Sequence, residues 1–341
     1  MTTALSTHGL AIGYRNRRET RTVLSDINVE VLRGELVCVL GVNGIGKSTL
    51  MRTLARAQPS LAGTIEVNGA DLTSLSQYEL ARTVGVVLTE RISVGSMPAY
   101  RLVELGRYPH VDWAGNLSDS DRQIVADAIA AVGAGHLAHR DLNELSDGER
   151  QRIMIARALA QRPTVLLLDE PSAFLDVSAR VEIIAMLRRL AREQQVAVIL
   201  SSHDLDLALR SADTIWLFDG KGGLQVGAPE DLLANGSIST AFSGPNIAFD
   251  PGQLSFRILA KPRFSASVSG PSDCIDLIRP LLEREGFAIA ASPAAAHLSV
   301  TLAADGWSAE SRLGEDRGST YAALARFIRI QIGLLEKEVE A

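Results

Sequence analysis

Leu145-Ser146-Asp147-Gly148-Glu149, then a helix-forming stretch to Pro163, then Val165-Leu166-Leu167-Leu168-Asp169-Glu170-Pro171 and Ser172-Ala173-Phe174-Leu175-Asp176, is the run whose reading decides the fold. It sets in fixed order a helix start able to hold an anion, an apolar strand ending in two carboxylates, and a further acid. The four apolar residues before Asp169 read as a buried parallel strand, which puts Asp169 at a strand's C-terminal end, where open parallel sheets bind ligands. Upstream, Gly41-Val42-Asn43-Gly44-Ile45-Gly46-Lys47-Ser48-Thr49 fills every position of the phosphate-loop pattern, and the strand-like Glu35 to Leu40 precedes it as that pattern requires. Gly41, Gly44 and Gly46 let backbone wrap an anion, and the first amides of the next helix point at it. Lys47 adds positive charge for the β and γ phosphates of ATP, and the Ser48 hydroxyl is placed to hold Mg²⁺. Asn43 and Thr49 complete the candidate nucleotide-binding set.

Composition bounds the rest. The 341 residues, 46% hydrophobic and 22% charged, suit a large core and two domains. A net charge of -6 gives no electrostatic reason to expect a nucleic-acid partner. No uncharged apolar stretch reaches the roughly 18 to 20 residues that span a bilayer, and no signal sequence is expected at the N-terminus. Ala288 to Ala304 comes nearest, but Pro293 and His297 interrupt it. Cys38 and Cys274 form no metal-spaced pair or disulfide framework, which fits a reducing cytoplasm.

Along the chain, Leu5 to Tyr14 and Val23 to Val31 read as strands, Lys47 to about Ala57 as a helix, and Gly63 to Gly69 as a short strand. Met97 to Gln161 is helical, with Ser118 and Ser146 as caps. Apolar strands return at Val165 to Leu168, Val196 to Ser201 and Thr214 to Phe218. The expected class is α/β: a phosphate-loop domain over 1–240 with a parallel-sheet core, an antiparallel β subdomain and a helical insertion at about 91–161. Ser243-Gly244-Pro245 and Asp250-Pro251-Gly252 then mark a linker. A small α+β domain over 255–341 follows, with strands Phe264 to Val268, Phe287 to Ala291 and Leu298 to Leu302 and helices Ser272 to Glu285 and Ser319 to Leu335.

Asp169 is placed to reach Mg²⁺, and Glu170, pointing elsewhere, to act on the attacking water. Strand-end carboxylates also commonly cap the next helix, and Ser146-Asp147-Gly148-Glu149 is itself a capping box. His136 and His139 have helical spacing but no accompanying cysteine or carboxylate cluster, so zinc is not expected there.

From the N-terminus to about Leu233 these motifs resemble the nucleotide-binding subunit of an ABC transporter. The resemblance implies an ATPase working as a dimer, with ATP held between each phosphate loop and the other subunit's Ser146 helix start, through Ser146 and Gly148. Asp147 and Glu149 stand where the family's Leu-Ser-Gly-Gly-Gln pattern has glycine and glutamine. By the same resemblance Tyr14 stacks on adenine, His203 in Ser201-Ser202-His203-Asp204 contacts the γ phosphate, and Asp176 crosses the dimer interface. The family's glutamine after the strand Val84 to Leu88 has no counterpart; Glu90 stands closest, as a catalytic and metal-facing carboxylate or else as a solvated strand-end Glu.

The Leu-Ala-Leu-Arg stretch after His203 and Arg107-Tyr108-Pro109-His110 most resemble ATPases of iron-chelate importers, the group handling siderophores, haem and cobalamin. The implied partners are a second copy of this chain, integral-membrane permease subunits and, indirectly, a substrate-binding protein. The implied place is the cytoplasmic face of the membrane, held there by the permease. The contrasting expectation is an ABC ATPase acting in nucleic-acid repair or translation, and this chain shows neither two cassettes nor a basic surface. The 255–341 domain reads either as a ligand-sensing module or as a packing appendage.

Overall fold

The structure is a computed structural model that describes residues 2–15, 19–88, 96–111, 115–258, 262–290 and 296–340. β1 (Thr3–Arg15) and β2 (Thr20–Leu32) form a long antiparallel pair, with Leu5 opposite Val31 and Leu10 opposite Ile27, and alternate burial is clear only along the second half of β2. β3 (Leu36–Leu40) is buried throughout and runs into the phosphate loop and α1 (Lys47–Leu54). β4 (Ala62–Val67) pairs with β1, and β5 (Ala70–Asp71) with β4, closing a four-stranded antiparallel sheet.

α2 (Gln77–Thr83) leads into β6 (Val84–Val87). α3 (Ala99–Glu104), α4 (Asp119–Ala131) and α5 (Asp147–Leu159) then intervene before β7 (Val165–Leu168). The chain continues through α6 (Val177–Gln194), β8 (Ala197–Ser201), α7 (Leu205–Ser211), β9 (Thr214–Phe218) and β10 (Leu224–Gly227). α8 (Pro229–Ala234) and α9 (Ser237–Phe242) follow. The central sheet has the order β10-β9-β3-β8-β7-β6, parallel from β9 to β6 and antiparallel at β10.

Both faces of that sheet are covered, which explains the unbroken apolar runs. Leu36, Cys38, Leu166, Leu168 and Leu200 join Ile153, Leu187 and Leu190 of α5 and α6 in one core. Val37, Val39, Leu167, Ile199 and Trp216 join Leu5, Ile12, Leu50 and Leu54 of β1 and α1 in another. Burial pushes the Cys38 thiol up to about 12, so it behaves as an apolar core group.

The stretch expected as a plain linker contains β11 (Ile247–Asp250) and β12 (Ser255–Ile258), which pair with each other. Phe256 meets Phe249 edge-on at 5.5 Å and Phe242 at 6.2 Å, and Phe249 is buried. The first compact unit therefore comprises Met1–Ser243 with Phe249–Phe256, and the second Gly244–Ala248 with Arg257–Ala341. Division of the chain into 1–240 and 255–341 overlooks this return of residues 249–256 to the first unit.

The second unit is built from β13 (Phe264–Ser269), α10 (Ser272–Arg284), β14 (Phe287–Ile289), β15 (Leu298–Ala303), β16 (Gly306–Ser311), β17 (Gly314–Gly318) and α11 (Tyr321–Glu340). Its sheet has the order β14-β13-β15-β16-β17, with Leu298, Val300, Leu302 and Trp307 packed on Ile278, Leu282, Leu324 and Ile328. β16 and β17 are additions to the sequence reading. Glu315, Asp316 and Arg317 of β17 are exposed and show no apolar alternation, so only pairing with β16 makes them a strand.

Candidate functional site

The phosphate loop joins β3 to α1, and Gly41 at φ 154° and Gly46 at φ 122° take conformations that other residues rarely adopt. A Cβ at Gly46 would lie 2.3 Å from Val23 Cγ1. Gly46 is also the N-cap of α1, and no side chain among the described residues caps that helix. Its first amides therefore lack a side-chain cap, the arrangement in which a helix start can take an anion. Asn43 and Gly44 are exposed in the loop.

Lys47 is buried, and its Nζ donates to the carbonyl oxygens of Gly41 at 2.9 Å and Val42 at 3.3 Å. Burial pushes its amine below the usual lysine value, while the negative charges of Glu170 and Asp169 pull it back up. Thr49, also buried, shares a 2.8 Å hydroxyl contact with Tyr14, whose ring is half exposed. Tyr14 thus flanks the loop from the antiparallel sheet.

β7 delivers the carboxylates. Asp169 is buried one residue past the strand, its N–H donating to Val87 O at 2.9 Å, and its Oδ1 accepts from Ser48 Oγ at 3.3 Å. Glu170 follows at φ 51°, a left-handed conformation rarely adopted by such a residue and frequent at active sites. Its carboxylate Oε1 shares a hydrogen bond with His203 Nε2. His203 sits between β8 and α7, whose start is capped by Asp204. Next to Glu170 and His203 opens a cavity of about 500 Å³, also lined by Phe174, Arg180, Asp204 and Phe256.

At α5 the capping box is fully formed. Ser146 Oγ accepts from Glu149 N–H at 3.3 Å, while Glu149 Oε2 accepts from Ser146 N–H and from the Ser146 hydroxyl, each at 2.9 Å. Those bonds, backbone first, hold the Glu149 carboxyl below the usual carboxylate range, and Arg140 lies 3.5 Å away. Gly148 has room for a Cβ, whose nearest neighbour would be Ala179 Cβ at 3.5 Å, so packing within this chain does not require glycine there. Asp176 is exposed and caps α6 through Ala179 N–H at 2.8 Å.

Phosphate loop, Asp169, Glu170 and His203 come together at the C-terminal ends of β3, β7 and β8. Ser146 and Asp176 lie on other helix starts, and Glu90 falls outside the described residues. Among the described residues no group of three or more His, Cys, Asp and Glu side chains is placed to hold a metal ion. One contact was missed in the sequence: Ser201 Oγ donates to Asp169 Oδ1 at 2.7 Å and accepts from Glu170 N–H at 2.9 Å. Only the pairing of β8 with β7 reveals it, since a serine ending an apolar strand carries no signal of its own.

A parallel sheet with a phosphate loop after one strand and an Asp-Glu pair after another, two places along, defines a phosphate-loop ATPase. Residues 24–173 match the ABC transporter family. An uncharacterized ABC transporter ATP-binding protein of Methanocaldococcus jannaschii is 40% identical over 71% of this chain and 82% of its own length. The achromobactin transport ATP-binding protein of Dickeya dadantii is 34% identical over 71% of this chain and 88% of its own. A structure assigned to a metal-chelate type ABC transporter in an inward-facing conformation superposes with a TM-score of 0.62 at 28% identity, covering 75% of this chain and 96% of that one. The chain belongs to the ABC transporter family, as one of its ATP-binding, ATP-hydrolysing proteins. These likenesses do not favour a role in repair or translation. No described helix is long and apolar enough to cross a membrane.

Proposed function

We propose that this chain powers uptake of an iron chelate, or of haem or cobalamin, through separate permease subunits at the cytoplasmic face of the membrane. Two copies enclose two ATP molecules, each between a phosphate loop and the other copy's Ser146 helix start. The observation that carries the ATP-hydrolysing part of this reading is the arrangement of Ser48 against Asp169 and of Glu170 against His203 at one edge of the sheet. The names of the similar transport proteins support the cargo class.

Lys47 and the α1 amides bind the β and γ phosphates. Glu170 orients the attacking water and accepts its proton while the bond from the γ phosphorus to the bridging oxygen breaks, and His203 holds the Glu170 carboxylate and meets the γ phosphate. Ser48 and Asp169 offer the converging oxygen donors that Mg²⁺ prefers. Mg²⁺, when bound, offsets the charge of the β and γ oxygens. Tyr14 stacks on adenine, Asp176 crosses to the second copy, and Glu90 takes the position of the family's glutamine.

Deletion of the gene tests the cargo: growth on one chelated iron source, haem or corrinoid should fail under limitation and return with the wild-type gene. Normal uptake of all of them, with no redundant importer, would refute the reading.

A further inference from the structure

We infer that Ser201 is a positioning residue for hydrolysis: its buried hydroxyl fixes both carboxylates of the site, a role that rests on the assignments of Asp169 and Glu170 proposed above. β8 lies between β3 and β7, with Val39 opposite Ser201 on one side and Leu168 opposite Leu200 on the other. Ser201 therefore stands level with the strand end that enters the phosphate loop and beside the start of the Asp-Glu pair. It is fully buried, so water does not compete for its hydroxyl.

A hydroxyl has one proton to give and lone pairs to receive. Ser201 gives its proton to Asp169 Oδ1 at 2.7 Å, the same oxygen that Ser48 Oγ reaches at 3.3 Å, and receives the Glu170 N–H at 2.9 Å. The first bond orients the Asp169 carboxylate toward Ser48. The second holds the backbone of Glu170 at φ 51°, a conformation that persists only where the surroundings fix it, and the Glu170 carboxylate meets His203. One side chain thus sets the angle between the metal-side acid and the water-side acid. A serine that merely satisfied a strand end would contribute stability and leave the chemical step alone.

The full-length chain tests this with Ser201→Ala, the volume-conserving Ser201→Cys, the hydroxyl-retaining Ser201→Thr, and Glu170→Gln as reference. The expected loss in kcat for Ala and Cys is about ten- to a hundredfold, with KM for ATP within about threefold, and Thr should return kcat to within about threefold of wild type. Binding of a fluorescent ATP analogue in EDTA should be unchanged in all of them, while the gain in affinity on adding Mg²⁺ shrinks in Ala and Cys. An Ala or Cys variant with wild-type melting that hydrolyses within about twofold of wild type, beside an inactive Glu170→Gln, overturns the inference. So does a folded Thr variant as slow as Ala. Wild-type hydrolysis by Glu170→Gln would instead remove the underlying assignment of the base.

Discussion

Glu170 carries the sharpest expectation at the scale of single residues. Glu170→Gln keeps the bulk that fits beside His203 but cannot take a proton, so hydrolysis should fall by about a hundredfold or more while ATP binding persists. Size-exclusion chromatography with ATP should then show an accumulated dimer. Lys47→Ala should instead weaken ATP binding by about tenfold or more, read by equilibrium binding, because a buried amine facing phosphate is lost. Glu149 makes a third case, since its charge sits at a helix start that repels less phosphate without it. Glu149→Gln should lower the ATP concentration for half-maximal activity by about two- to fivefold. Lys47, Ser48, Asp169 and Glu170 stand out in sequence because each falls in a local motif, and the sheet brings Ser48 and Asp169 within 3.3 Å. Ser201 does not, because its role arises from the register of two strands 32 residues apart in the chain, a relation that no local pattern encodes.

Among elements, α4 shows how the helical insertion is pinned. Asp121 of α4 pairs at 2.9 Å with Arg107, a buried guanidinium that also donates to Ala160 O at the end of α5. The Ser118 hydroxyl, then Arg107, hold the Asp121 carboxyl below the usual carboxylate range. A depressed folded value means that the stabilisation is complete above the unfolded carboxylate pKa and disappears as pH falls through the folded one. The melting difference between wild type and Asp121→Asn should therefore be constant near neutrality and shrink in acid. β7 is the opposite kind of element, apolar on both faces. Leu167→Ala should cost about 2–5 kcal/mol by chemical denaturation. Its four-residue apolar run announced it in sequence, whereas β11, β12, β16 and β17 stayed hidden. Those strands are short or polar and owe their form to a neighbour, and the turn residues around them dominate local composition.

For the whole molecule, the placing of Phe249–Phe256 decides where the chain can be shortened. A protein ending at Ile258 should keep its ATPase rate and melt close to the full chain's first transition. One ending at Asn235 loses buried Ile238 and Phe249 and should melt about 10 °C lower. The two-domain outline was legible from the point where nucleotide motifs stop, but the seam was not, because aromatic residues flanked by Gly-Pro and Asp-Pro-Gly look like connector. At that seam the polypeptide leaves the ATPase at Ser243, passes back through it at Phe249–Phe256, and leaves again. A protease nick between Gly244 and Ala248 would yield two fragments that still migrate as one particle under native conditions and part only in denaturant, so an intact native band would be no proof of an intact chain.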